Sequence, residues 1–77
     1  MNIKILGSGC PNCRLLEENT RKALKDMGIE AEIEKVTDYG KIAEFGIMST
    51  PALVVDGEIK IYGMVPTVTN IKAMLKQ

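Results

Sequence analysis

Cys10 and Cys13 are the only cysteines in the 77-residue chain, and two residues separate them. Thiols at that spacing can close a reversible disulfide or grip a soft metal ion. They stand in the stretch Gly7-Ser8-Gly9-Cys10-Pro11-Asn12-Cys13, between an apolar strand-like run and a long amphipathic run. Pro11 suits the first helical position, where its missing N–H is no loss and its φ is already helical. Cys10 then becomes the N-cap and Cys13 the third helical residue. An N-cap side chain sits near the amide of that third residue, so the two sulfurs face each other. Residues three apart on a helix lie roughly 5–6 Å apart, inside the ~4.4–6.8 Å Cα window of an unstrained disulfide.

The helix start lowers the cost of a thiolate at Cys10, because free amides and the macrodipole favour negative charge there by roughly 0.3–2 kcal/mol. The Cys10 thiol is therefore expected to fall from about 8.5 toward neutrality. Cys13 shares a stripe with Leu16, Thr20, Ala23, Leu24 and Met27 at helical spacing, the pattern of a buried face. The expectation is an exposed nucleophile at Cys10 and a buried resolving thiol at Cys13.

The rest of the composition narrows the choices. Ten Lys and Arg balance ten Asp and Glu without a basic cluster, so no nucleic-acid or anionic-membrane partner is expected. No apolar run approaches the ~20 residues of a membrane span. The start Met1-Asn2-Ile3-Lys4 lacks a basic region followed by an apolar stretch. No signal peptide is expected, and a cytoplasmic, reducing setting follows. Histidine is absent, which removes Cys–His catalysis and imidazole metal ligands. A lone close cysteine pair in such a setting is redox-active or metal-binding more often than structural.

The elements that must position the pair read as β-α-β-α-β-β-α in a single domain. Asn2 to Leu6 is a short strand broken by Gly7-Ser8-Gly9, and a helix from Pro11 runs to Met27, with Gly28 as its stop. Ile29 to Val36 alternates apolar residues with Glu30, Glu32 and Glu34, the mark of a half-exposed edge strand. Thr37 or Asp38 caps a second helix, Tyr39 to Phe45, with Ile42 and Phe45 inward. Ala52-Leu53-Val54-Val55 is a continuous apolar run, as in a strand covered on both faces. Asp56-Gly57 is a hairpin turn, and Glu58 to Tyr62 alternates as the opposite edge. Thr67 caps a last helix through Val68, Ile71, Met74 and Leu75. The expected fold is α/β, a four-stranded mixed sheet in the order 2-1-3-4 with helices on both faces.

This order, with Cys10-Pro11-Asn12-Cys13 at the first strand–helix junction and Thr50-Pro51 before the third strand, resembles the thioredoxin/glutaredoxin superfamily over essentially the whole chain. The short form is similar to the small redox-active disulfide proteins of archaea and bacteria. The resemblance implies a cis Pro51 beside the cysteine pair and a Thr50 backbone that pairs with a bound peptide. It also implies an active-site loop of Gly9, Pro11 and Asn12, disulfide-containing protein substrates, a separate reductase, no cofactor and no metal. Three departures stand out. Gly9 replaces the aromatic residue that thioredoxins usually carry before the first cysteine. Lys4 occupies the place of their buried carboxylate, either as a solvated strand residue or as a functional one. Tyr62-Gly63-Met64-Val65-Pro66 lacks the Gly-Gly-x-Asp-like pattern that holds glutathione in glutaredoxins, which argues against a dedicated glutathione site. Gly63 either lets a substrate backbone approach or simply serves a turn. Met48 and Met64 are candidates for an adaptable apolar rim or for core filling, and Tyr39 and Tyr62 are read as packing residues.

Two other readings stand beside the oxidoreductase. Strand–Gly-x-x-Cys–helix also resembles the heavy-metal-associated domains, in which two thiolates hold Cu(I) or share Zn(II) across a dimer. That family ends in a strand, lacks the second helix, and has a methionine where this chain has Ser8. A purely structural disulfide is the third reading, and a four-residue loop constrains the unfolded chain little. Element order favours a small thiol–disulfide oxidoreductase, expected to be monomeric.

Overall fold

The computed structural model describes residues 1–7, 9, 11–47 and 49–76. Seven elements follow one another: β1 (Asn2–Leu6), α1 (Pro11–Met27), β2 (Glu32–Val36), α2 (Tyr39–Glu44), β3 (Ala52–Val55), β4 (Glu58–Tyr62) and α3 (Val68–Leu75). The sheet order is β2-β1-β3-β4, the order expected from the two half-charged strands. β1 runs parallel to β2, with Ile3 opposite Ile33, and antiparallel to β3, with Ile3 opposite Val55.

Alternation along the two inner strands sends apolar side chains to both faces. Ile3 and Ile5 of β1 join Leu53 and Val55 of β3 in one core, closed by Leu16, Ala23 and Leu24 of α1 and by Ile71 and Leu75 of α3. Leu6, Ala52 and Val54 face the other way and pack with Val36, Ile42 and Ile47. The helices therefore lie on both faces, α1 and α3 together and α2 opposite. Thr20, buried on α1, donates its hydroxyl to the Leu16 carbonyl at 2.7 Å, so it brings no unpaired polar atom into the core.

Helix ends follow the capping residues. Asp38 caps α2 by accepting the Gly40 N–H at 2.7 Å, and Thr67 caps α3 by accepting that of Asn70 at 3.1 Å. Phe45 is the C-cap of α2 rather than its last helical residue, and stays half-buried against the second core. β2 begins at Glu32, three residues later than its alternation suggests. The Ile29 N–H turns back to the Leu24 carbonyl at 3.0 Å, so this stretch closes α1 before the ladder starts. Tyr39 and Tyr62 correct a sequence expectation: their exposures of 68% and 58% put both rings largely in solvent. Tyr39 opens α2 and Tyr62 closes β4, and neither belongs to the two buried clusters.

β4 holds a second departure. Ile59 and Ile61 have the same parity, so an unbroken strand would put both on one face. The register instead pairs Leu53 with Ile61 and its neighbour Val54 with Ile59, leaving Lys60 as the extra residue of a bulge. Ile61 consequently packs against the first core and Ile59 against the second. Deleting Lys60 gives a regular ladder in which both isoleucines keep their faces. The Lys60–Glu58 pair at 3.5 Å is lost with it, together with the cover given by a Lys60 side chain that is 28% exposed. Urea denaturation of that deletion is expected to show less than about 1 kcal/mol of destabilisation. A cooperative unfolding transition that disappears would mean that the bulge itself holds the edge.

Candidate active site

Cys13 sits in the first turn of α1, on the face that Leu16, Thr20, Ala23 and Leu24 continue into the core, and is only 5% exposed. The strand beneath it ends at Leu6, but the Gly7 N–H still donates to the Val36 carbonyl at 2.9 Å. Gly7 thus extends the β1–β2 ladder by one residue and has the parity of Ile3 and Ile5. A Cβ built on Gly7 collides with the Cys13 Sγ, and lies 3.3 Å from the Cys13 Cβ and 3.9 Å from the Pro51 Cα. The end of β1, the first turn of α1 and the residue before β3 therefore meet at one point. Gly7 read in sequence as a strand breaker; its structural use is to leave room for a sulfur.

The Thr50–Pro51 peptide bond is cis, and Pro51 is buried while Thr50 is half-buried. The Pro51 carbonyl accepts the Gly63 N–H at 2.9 Å, tying the end of β4 to the same corner. Gly63 has a φ of +78°, and a Cβ there would lie 3.2 Å from that of Ser49. It is a turn glycine that also lets its own chain pass closely. Gly9, with φ +85°, occupies the left-handed region that a bulky side chain adopts poorly, which accounts for the missing aromatic residue before Cys10. Pro11 opens α1 as its first residue and is exposed, as are Asn12 and Gly9. Cys10, Ser8 and Met48 lie outside the described residues, so the facing of the two sulfurs and the N-cap role stay sequence expectations.

Beside Cys13 runs a cleft of about 200 Å³, lined by Ile5, Gly7, Gly9, Cys13, Arg14, Glu17, Lys35 and Thr37. Its one acid, Glu17, is 18% exposed and accepts from Arg21 at 2.9 Å and pairs with Lys35 at 3.4 Å. The Arg21 hydrogen bond, helped by Lys35, holds the Glu17 carboxyl below its usual value of 4.5 against the opposing effect of burial. The Glu17–Arg21 spacing of four was legible in the sequence; the Lys35 partner, one element away, was not. Lys4 belongs to the other face of β1, with its ammonium 5.7 Å from the centre of the Phe45 ring. It is neither a fully solvated residue nor an acid substitute. It rests on an aromatic face.

Comparison with known proteins agrees with this geometry. The family model for the thioredoxin domain matches residues 1–76. A thioredoxin of Methanothermobacter thermautotrophicus is 48% identical over 75 residues, covering 97% of each chain. A thioredoxin of Methanocaldococcus jannaschii is 46% identical over 74 residues, covering 96% of this chain and 85% of that one. The chain belongs to the thioredoxin family, whose members are thiol–disulfide oxidoreductases. Nothing in the structure or the relatives favours a metal carrier. The chain has the second helix that heavy-metal-associated domains lack, and its last described element is a helix.

The Glu17 cluster makes a pH-dependent contribution whose sign follows from its lowered folded-state value. That contribution is present above the unfolded pKa and is lost as pH falls through the folded one. Thermal melts from neutrality downward should therefore show a steeper loss below about pH 4.5 in the wild type than in Glu17→Gln. Parallel acid limbs in the two proteins would assign the pair no net role.

Proposed function

We propose that this protein reduces protein disulfides through a reversible Cys10–Cys13 disulfide. Reduced Cys10, as thiolate, attacks one sulfur of a substrate disulfide; a new S–S bond forms and the first substrate thiolate leaves. Cys13, losing its proton, then attacks the Cys10 sulfur. The mixed disulfide breaks, the second substrate thiolate leaves, and both substrate thiolates take up protons. Two electrons have passed from the cysteine pair to the substrate, and a separate reductase must return them.

The observation that carries this reading is the burial of Cys13 at the meeting point of β1, α1 and Pro51. A thiol held there is out of reach of a bulky substrate, yet only three residues from Cys10 in the chain. Gly9, Pro11 and Asn12 form the exposed rim of the loop. Thr50, Pro51 and Gly63 line the side from which an extended substrate segment pairs with the Thr50 backbone. The working unit is a monomer in a reducing, cytoplasmic setting, without cofactor or metal.

Trapping with a disulfide-bonded protein substrate tests the roles of the two thiols. Cys13→Ser should accumulate a mixed disulfide at Cys10, whereas Cys10→Ser should neither trap nor turn over. Accumulation on Cys13 in the Cys10→Ser protein would reverse the assignment. Equilibration of the wild-type couple with dithiol buffers then gives the direction of flux. A reversible two-electron potential below about −250 mV is expected for a reductant, against above about −200 mV for an oxidant or isomerase. Failure to form the intramolecular disulfide on metal-free protein would discard the enzyme reading.

A further inference from the structure

We propose that Gly7 is a positioning residue of the exchange reaction, seating the Cys13 sulfur against the strand backbone in the orientation from which it resolves the mixed disulfide. This rests on the reading of Cys13 as the resolving thiol. Its support is the close fit between the two residues. Gly7 has no left-handed backbone to explain it, since the glycines with positive φ are Gly9, Gly28, Gly46, Gly57 and Gly63. What demands a glycine is the Cys13 sulfur, which occupies the volume that a methyl group at position 7 would fill.

A methyl there also lies 3.9 Å from the Pro51 Cα, ordinary contact, and 3.3 Å from the Cys13 Cβ, which a small shift relieves. The sulfur is the atom that must leave. A cysteine side chain has three staggered positions, and the cleft of about 200 Å³ beside Cys13 offers an alternative volume. Gly7→Ala is thus expected to keep the fold and turn the thiol. An intramolecular attack depends on reacting atoms about 3–3.5 Å apart and aligned, and a misplacement of about 1 Å costs on the order of a hundredfold.

Stopped-flow reaction of the reduced protein with dipyridyl disulfide separates the two steps. Cys10 attack releases the first pyridinethione at a rate proportional to the probe. Cys13 attack on the resulting mixed disulfide releases the second at a rate independent of it. In Gly7→Ala the first step should stay within about twofold, and the second should slow by about tenfold or more. A second step within about twofold of wild type, or both steps slowed alike, would overturn the proposal. Leu75→Ala, which loosens the core at the other end of α3, should leave the ratio of the two rates unchanged. Cys13→Ser separates the two readings: two thiones per chain from that variant would sink the exchange mechanism itself, whatever Gly7 does.

A double-mutant cycle gives a readout without chemistry. Gly7→Ala should lower Tm by about 4–8 °C when Cys13 is present, and by about 2 °C or less in a Cys13→Ala background. Equal losses in both backgrounds would show that the sulfur is not what the methyl meets. A Gly7→Ala chain that does not fold is expected to be rescued by Cys13→Ala, and lack of rescue would count against the proposal equally.

Discussion

The Cys13 sulfur lies where a Cβ on Gly7 would stand, so the site depends on where β1 is held. β1 is held from four sides. β2 and β3 pair with its two edges, and separate apolar cores cover its two faces. Even its first residue is fastened, because the Asn2 N–H donates to the Asp56 carboxylate at 2.8 Å while its carbonyl accepts the Asp56 N–H at 2.8 Å. A small domain buries a modest share of its surface. Here much of that burial is spent around the one strand on which the chemistry stands.

α1 is the other half of that constraint, and it is anchored along its length rather than at the site. Leu16, Ala23 and Leu24 fasten it to the sheet, the Asn19 amide donates to the Pro66 carbonyl at 3.0 Å, and Asp26 pairs with Lys72 of α3 at 3.0 Å. The last two contacts are polar and partly exposed, so each contributes little energy. They bridge α1 to α3 and to the segment before it, alongside the apolar core that the two helices share. The thioredoxin-family pattern is usually described by its cysteines. In this chain the fixed frame is the strand end and helix face beneath them.

Much of this was legible in the sequence, for reasons that differ by element. The charged face Glu30, Glu32 and Glu34 and the unbroken Ala52–Val55 run distinguish edge from centre, and that contrast suffices for the 2-1-3-4 order. Capping residues mark the starts of α2 and α3 because their chemistry is local. Three features were hidden. The β4 bulge has no local signature, since an alternating strand reads alike with or without an unpaired Lys60. The exposure of Tyr39 and Tyr62 depends on where the cores end. Gly7 passed for a breaker because its reason lies in a side chain six residues away and a proline just before another strand. Local rules find caps and turns; close approach between elements has to be seen.

The parallel pairing of β1 with β2 and its antiparallel pairing with β3 also order events during synthesis. β2 lies near β1 in the chain, whereas the partner on the other edge, with Ile3 opposite Val55, is translated much later. Until that stretch leaves the ribosome, β1 lacks one edge partner and Gly7 lacks its Pro51 neighbour. A nascent chain therefore carries both thiols well before β3 and α3 close the core on which α1 lies. The frame around Cys13 is completed late in the chain, when the distant hairpin reaches back to the first strand.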